Sequence, residues 1–195
     1  MKKSIVGILC GGFSSEKEIS FKSGYNVLNN LSEKLWDSYL IKFNHNKWYV
    51  EDKEEKKYNF FINDFSFYKN DLKFKFDVIF NAIHGVPGEN GQIISFIELI
   101  NLPYTGSNSY SSALTFNKRD CLSILKNYGI NSSKNYYLDQ DQKINEDEIV
   151  KSVGLPCFVK ANRSGSSFGI YKVYKKDELS ISIKKAFEED SQLII

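Results

Sequence analysis

The sequence predicts an α/β protein whose first part is a doubly wound sheet with parallel central strands. Two continuous apolar runs, Ser4 to Cys10 and Phe76 to Ile83, are typical of strands that are covered on both faces. A helical pattern follows the first run through about Leu31, and another covers Gln92 to Ile100. Strand and helix signals that alternate in this order favour a doubly wound layer.

The remaining elements of the first part are less regular. Ser15, with Glu18 three positions later, is typical of a capping box and predicts that a helix begins there. Residues 38–43 form a second predicted strand. Residues 44–75 are rich in Lys, Glu, Asn and aromatic residues, and within them KWYV and YNFFI are candidate short strands. The charged run EDKEEKK at 51–57 is predicted to be a solvated turn.

A second unit of mixed helices and strands is predicted from Asn117 onward. The pattern indicates helices at 118–128, 146–153 and 177–188, and strands at 135–138, 156–161 and 170–174. We therefore expect a first domain over 1–106, a connecting segment over 107–117 and a second domain over 118–195. The chain stops at residues 192–195 within a strand-like pattern, so we expect a partial sequence or a truncated gene.

Composition excludes several classes of protein. The 195 residues are 42% hydrophobic and 26% charged, with a net charge of +2, which fits a globular protein and gives no reason to expect a nucleic-acid or membrane partner. No apolar run is long enough to cross a bilayer. Three widely spaced cysteines form neither a disulfide framework nor a zinc pattern, so reduced thiols in a cytoplasmic protein are expected.

The first candidate motif runs from Gly11 to Ser20. A strand that feeds a Gly-rich turn into a helix presents unpaired backbone N–H groups, which suit an anion. An ordinary turn between strand and helix explains the pattern equally well. Glu16 is favoured in the first helical turn by the helix dipole, or it binds the ammonium group of a substrate.

The second motif runs from Asn81 to Gly91. His84 follows a buried strand and precedes a Gly-rich loop, and open α/β sheets place ligands at such a position. The alternative is a hydrogen-bonded, partly buried histidine with no ligand. The only other histidine, His45, has surroundings that indicate nothing specific.

The third motif runs from Leu155 to Gly169. Lys160 ends a strand, and a loop of Ser and Gly then leads to a return strand. Such a loop can donate hydrogen bonds to phosphate from backbone N–H groups and hydroxyls, while the lysine supplies positive charge. The lysine precedes the loop, so this is not a P-loop. A flexible hairpin with a surface lysine is the alternative.

Together these segments resemble one family. GGFSSEKEISFKSG, NAIHGVPGENG, LPYTGS, the pair Asn117-Lys118 and FVKANRSGSSFG are similar to D-alanine–D-alanine ligases of the ATP-grasp class, in the order that the family has them. Residues 44–75 match poorly. The resemblance implies a Rossmann-like, pre-ATP-grasp domain followed by an incomplete ATP-grasp α+β subdomain.

The resemblance also implies roles for individual residues. Glu16 would receive the ammonium group of the first D-alanine, and His84 with Gly85 would lie near its carboxylate. Ser166 would hydrogen-bond toward Glu16, which makes these two the implied catalytic residues. The residues implied to bind ATP are Lys118, Lys160, Gly165, Ser166, Ser167 and Gly169.

The implied activity is ATP-dependent ligation of two D-alanines, for peptidoglycan synthesis, through D-alanyl phosphate. The family's ligands for Mg²⁺ or Mn²⁺ lie in its C-terminal part, so no metal ligand is expected in this chain, and the chain alone is expected to be inactive. A cytoplasmic homodimer is implied. The alternatives are a D-alanine–D-lactate or D-serine ligase, or a truncated remnant without activity.

Four departures from the family pattern affect loops. Asn90 stands where the family often has Asp, Ile94-Ser95 where it often has Gln-Gly, Ala161 where it usually has Pro, and Ser164 where it often has Glu. They change loop shape and therefore concern the details of closure over ATP.

Overall fold

The computed structural model describes residues 3–44 and 47–195, and His45 lies outside them. The chain divides into two compact units, residues 1–113 and 114–195. This division falls inside the segment 107–117 that the sequence predicts as a connection. That segment also contains a helix, α3 (Ser109–Phe116), which its sequence pattern does not reveal.

The first unit is built on a sheet of seven strands. Strand β1 pairs in parallel with β2 and with β7, and every other pairing is antiparallel. The predicted parallel centre is therefore confirmed, and antiparallel strands extend it on one side. In the order β6-β5-β4-β3-β2-β1-β7, the strands are β1 (Ser4–Gly11), β2 (Trp36–Phe43), β3 (Tyr49–Glu51), β4 (Lys57–Phe61), β5 (Ser66–Lys69), β6 (Leu72–Lys75) and β7 (Val78–Asn81).

Helices cover both faces of the parallel strands, so the doubly wound arrangement is confirmed. Helix α1 (Lys17–Asn30) buries Leu28 on the face that carries Ile8 of β1. Helix α2 (Gln92–Leu99) buries Ile97 on the opposite face, with Leu9. Because successive strand residues point to opposite faces, a strand covered on both sides must be apolar at nearly every position.

The poorly matching segment 44–75 is mostly sheet. The two candidate strands are confirmed as β3 and β4, and β5 and β6 add a further antiparallel hairpin. Phe65 and Phe67 are fully buried there. The prediction that 51–57 is a solvated turn is wrong at its start, because Glu51 and Asp52 are only 2% and 8% exposed.

Glu51 is buried because it meets a buried lysine. Lys42 Nζ donates to Glu51 Oε1 and to the hydroxyl of Tyr25, both at 2.5 Å, and Tyr25 donates to the same Glu51 oxygen. Burial lowers the pKa of Lys42, but these hydrogen bonds outweigh it and raise that pKa to about 12. Lys42 and Glu51 thus form a buried ion pair whose charges compensate each other.

The start of helix α1 differs from the predicted capping box. The helix begins at Lys17, Glu16 occupies the cap position, and the side chain of Glu16 makes no capping hydrogen bond. Instead Ser14 Oγ accepts from the backbone N–H of Glu16 at 3.3 Å. The predicted capping box is wrong because the cap position is one residue later than the pattern suggests, at Glu16 instead of Ser15.

The second unit contains an antiparallel sheet with strand order β10-β9-β11-β8 and three α-helices, as an α+β prediction requires. Its core is aliphatic, with Ile149, Val159 and Ile183 fully buried. Strand β11 pairs on both of its sides. The elements are α4 (Lys118–Asn127), β8 (Tyr137–Asp139), α5 (Glu146–Val153), β9 (Cys157–Ala161), β10 (Ile170–Val173), a short 3₁₀ helix (Lys176–Glu178), α6 (Leu179–Ala186) and β11 (Gln192–Ile194).

The structure also bears on two expectations from composition, which concern the cysteines and membrane-spanning segments. Cys10, Cys121 and Cys157 are all unpaired thiols, and burial raises the pKa of Cys10 to about 12, which keeps it neutral. Among the described residues, none of the helices has the length and apolar character that a membrane span needs.

We predict that Lys42→Met destabilises the first unit by about 3–5 kcal/mol, because it leaves Glu51 as an uncompensated buried carboxylate. Both tryptophans, Trp36 and Trp48, lie in this unit, so urea unfolding followed by tryptophan fluorescence measures it. The double variant K42M/E51L should regain most of the loss. A single variant as stable as the parent would show that the pair does not stabilise the unit.

Candidate functional site

In the first unit, two loops meet at the carboxyl ends of β1 and β7. The N–H of Phe13 donates to the carbonyl of Val86 at 2.8 Å, and Ser14 Oγ donates to the carbonyl of His84 at 3.0 Å. Gly12 makes this approach possible: its φ is +112°, and a Cβ there would lie 2.7 Å from the Val86 carbonyl oxygen. The first two motifs therefore form one site.

A buried serine on α1 locks the same two strand ends together. Ser20 is fully buried, its Oγ accepts from the N–H of Gly11 at 2.8 Å, and it donates to the carbonyl of Ala82 at 2.7 Å. One hydroxyl thus satisfies a donor of β1 and an acceptor just after β7. This fixes α1, and with it Glu16, relative to both loops.

Glu16 is the unusual member of this site. It is 2% exposed, and among the described residues its Oε2 is the one buried side-chain oxygen or nitrogen without a hydrogen-bond partner. Gly85 keeps the adjoining space open, because a Cβ there would lie 3.2 Å from this oxygen. A buried carboxylate oxygen without a partner is costly in free energy, and an ammonium group would satisfy it.

His84 stands beside Glu16 on the second loop. Its Nε2 lies 3.0 Å from Ser23 Oγ, and its Nδ1 lies 4.0 Å from Glu89 Oε1. Glu89 also accepts from the N–H of Gly85 at 3.0 Å. The side chain of His84 is 34% exposed, so it is hydrogen-bonded and still accessible to a ligand.

The second unit has its own cavity, of about 620 Å³, into which both predicted lysines, Lys118 and Lys160, face. Lys160 lies on β9 beside the ring of Phe158, 5.3 Å from its centroid. Its lining combines apolar side chains with lysines, which suits a flat ring joined to phosphates. Its lining is Thr115, Lys118, Cys121, Leu122, Ser132, Ser133, Lys134, Asn135, Val153, Pro156, Cys157, Phe158, Lys160, Ile194 and Ile195.

The Ser/Gly loop that follows β9 has a fixed base and an exposed tip. Arg163 donates to both carboxylate oxygens of Asp190, at 2.7 and 3.1 Å. Burial opposes ionisation, but these hydrogen bonds hold the pKa of Asp190 below its usual range. At the tip, Ser166 and Ser167 are exposed, with left-handed φ values of +46° and +66°.

Two family models match this chain. Residues 5–107 match the family model described as the D-ala D-ala ligase N-terminus, and residues 124–195 match the D-ala D-ala ligase C-terminus. The chain belongs to the D-alanine–D-alanine ligase family.

Relatives of this D-alanine–D-alanine ligase family member cover all or nearly all of it. A D-alanine–D-alanine ligase of Christiangramia forsetii is 48% identical over the whole chain. The Coxiella burnetii ligase structure has a TM-score of 0.85 at 27% identity and covers all of the chain and 61% of its own. The ATP complex of the Bacillus anthracis ligase has a TM-score of 0.72 at 29% identity, over 98% of this chain and 58% of its own. The chain spans about three fifths of the Christiangramia relative.

The structure brings the implied residues of this family member together in two groups. Glu16, His84 and Gly85 adjoin one another in the first unit. Lys118, Lys160 and the loop residues Gly165, Ser166, Ser167 and Gly169 belong to the second. The hydrogen bond of Ser166 toward Glu16 stays a prediction.

Sequence reasoning missed Asn162, which organises the second group. It is fully buried; its Oδ1 accepts from the N–H of Arg119 at 2.8 Å, and its Nδ2 donates to Asn117 Oδ1 at 2.8 Å and to Gln192 Oε1 at 3.3 Å. Its carbonyl accepts from Lys118 Nζ at 3.1 Å. Its partners on α4 and β11 are distant in the chain, so only its place between Lys160 and the loop could have indicated it.

We predict that Asn162→Ala destabilises the second unit by about 2–3 kcal/mol, because it leaves buried donors and acceptors without partners. Hydrogen exchange at the Arg119 amide, which loses its acceptor, should accelerate by at least tenfold. Asn131→Ala, at an exposed position of the same unit, should leave that exchange unchanged. Equal protection of Arg119 in both variants would contradict the role of Asn162.

Proposed function

We propose that this chain is part of an enzyme that joins two D-alanines at the expense of ATP, through a D-alanyl phosphate intermediate, to supply D-alanyl-D-alanine for peptidoglycan. The support is family membership together with relatives that carry the name D-alanine–D-alanine ligase. The activity belongs to the whole protein, of whose relatives the chain spans about three fifths.

The buried, unpartnered Oε2 of Glu16 is the observation that carries this proposal. An amino acid brings an ammonium group that pairs with this oxygen, and a carboxylate that the partly exposed His84 can approach, while the N–H of Gly85 already donates to Glu89. The site thus offers a negative wall for the amine and an accessible imidazole for the acid.

ATP is the proposed occupant of the second unit's cavity. The apolar residues of the lining suit adenine, and two of its lysines, Lys118 and Lys160, suit the phosphates. The loop at Ser166 and Ser167 is the proposed lid, whose hydroxyls and N–H groups close over the γ-phosphate. The Bacillus anthracis structure with ATP supports this assignment, because it shares the fold.

In the proposed reaction, the carboxylate oxygen of the first D-alanine attacks the γ-phosphorus of ATP, and ADP leaves. The amine of the second D-alanine then attacks the acyl phosphate and expels phosphate. Glu16 holds the ammonium group of the first D-alanine, so that the carboxylate of this D-alanine is aimed at the γ-phosphorus. The lid excludes water from the reactive acyl phosphate. Mg²⁺ or Mn²⁺ would neutralise charge on the phosphates when bound, and among the described residues no three side chains of His, Cys, Asp or Glu gather to hold it.

The remaining expectations are proposals of the same standing. We propose a cytoplasmic homodimer whose partners are D-alanine and ATP, with neither nucleic acid nor membrane involved. Sedimentation equilibrium of the purified protein tests the dimer. Competition between D-alanine, D-serine and D-lactate for the second position tests the choice of second substrate.

We predict that Glu16→Gln weakens D-alanine binding about 10- to 100-fold, because it removes the carboxylate that pairs with the ammonium. Stability should stay equal or rise, because a buried charge without a partner is removed. Calorimetric titration of the chain with D-alanine measures the first effect and urea unfolding the second. Glu18→Gln, at an exposed position in the first turn of α1, is the matched control and should bind D-alanine as the parent does.

The activity itself is tested with a chimera. The chain is joined to the part of the Christiangramia forsetii relative that it does not match, and phosphate release from ATP is followed with and without D-alanine. We expect release that depends on D-alanine and is lost on Glu16→Gln, while the 195-residue chain alone releases none. A chimera that folds and binds ATP but never responds to D-alanine would refute the proposal.

We predict that Lys160→Ala weakens ATP binding by about tenfold, because one cationic contact to phosphate is lost. Displacement of a fluorescent ATP analogue from the chain measures it. Lys151→Ala removes an exposed lysine of α5 that does not line the cavity, and it should have no effect. Equal losses in the two variants would point to nonspecific charge attraction instead.

A further inference from the structure

Helix α1 carries a polar stripe toward the carboxyl ends of β1 and β7. Glu16, Ser20 and Ser23 follow one another at intervals of four and three residues, which places them on one face of a helix. Ser20 joins the strand ends, and Glu16 offers its unpartnered oxygen. The proposed reaction leaves the third member, Ser23, without a role.

Ser23 contacts the one imidazole of the site. Its Oγ lies 3.0 Å from His84 Nε2. The backbone of His84 is held separately, because Ser14 Oγ donates to its carbonyl. The other ring nitrogen, Nδ1, lies 4.0 Å from Glu89 Oε1, which is beyond hydrogen-bond length. The orientation of the ring therefore depends on Ser23 on one edge and on the charge of Glu89 near the other.

We propose that Ser23 is a positioning residue that holds neutral His84 in the tautomer with its proton on Nδ1. The 3.0 Å contact between Ser23 Oγ and Nε2 leaves the direction of donation to the tautomer; in the proposed tautomer the serine hydroxyl donates to Nε2, and the proton lies on the opposite edge. The carboxylate of Glu89 favours the same choice, because a lone pair on Nδ1 would face a negative oxygen.

The consequence is a hydrogen-bond donor of fixed direction. Nδ1–H is not consumed by Glu89 at 4.0 Å, and the ring is 34% exposed, so this donor can be offered to the carboxylate of a bound amino acid. Resting on the proposed function, the inference assigns Ser23 an indirect part in recognising the first D-alanine. It acts through His84 and does not touch the ligand.

The tautomer can be measured without any ligand. The sequence has two histidines, so ¹⁵N-labelled histidine gives two imidazole spin systems, and His45→Gln assigns them. At pH 8, where free imidazole is neutral, long-range ¹H–¹⁵N correlation distinguishes the Nδ1–H form from the Nε2–H form. We expect Nδ1–H at His84 in the parent and in Ser23→Thr, which keeps the hydroxyl. Ser23→Ala should show a larger Nε2–H fraction although Glu89 remains, and Ser23→Ala combined with Glu89→Gln a larger fraction still.

D-alanine titration supplies the second readout. Ser23→Ala should weaken binding about 3- to 10-fold, Ser23→Thr should restore it, and Ser32→Ala, exposed just after α1, should bind as the parent does. An unchanged Nδ1–H tautomer in Ser23→Ala would overturn the inference. If the tautomer responds but no variant, the parent included, binds D-alanine, the positioning by Ser23 stands and the proposed function fails.

Discussion

The first unit depends on the close approach of two loops at the carboxyl ends of β1 and β7. Gly12 allows the backbone of one loop to reach the carbonyl of Val86 in the other, and Ser20 ties the two strand ends through one buried hydroxyl. Because both strands are parallel neighbours in the sheet, their carboxyl ends lie at the same edge. This contact brings Glu16 beside Gly85 and removes the carboxylate from water. Every property assigned to the site follows from that placement.

Two buried glutamates in this unit show what the placement costs. Glu51 is as buried as Glu16, but it meets Lys42 and Tyr25, so its charge is compensated within the fold. Glu16 has an oxygen with no such partner. A fold selected only for stability would pair or replace a carboxylate of this kind. The difference between the two residues supports the proposed ligand, since an ammonium group would do at Glu16 what Lys42 does at Glu51.

The sequence predicts local features well and long-range ones poorly, for physical reasons. Strands β1 and β7 are recognisable because a strand covered on both faces must be apolar throughout, and Gly12 and His84 mark where such strands end. The sequence does not reveal that Glu51 is buried, because Glu51 stands in a charged run and its partner Lys42 lies on a different strand. Asn162 is missed for the same reason: its partners lie 30 to 45 positions away in the chain.

The loop after β9 obeys a related constraint within the second unit. A segment that closes over a phosphate must return to the same place each time, so its base has to be rigid, while its tip has to change conformation. The base is held by Arg163 on Asp190 and by Lys118 Nζ on two loop carbonyls. The tip consists of Ser166 and Ser167, exposed and in the left-handed region, where a non-glycine backbone is strained. Such strain lowers the free energy needed to leave this conformation. Contacts with phosphate can therefore offset the free-energy cost of reordering the tip, while the base stays as it is.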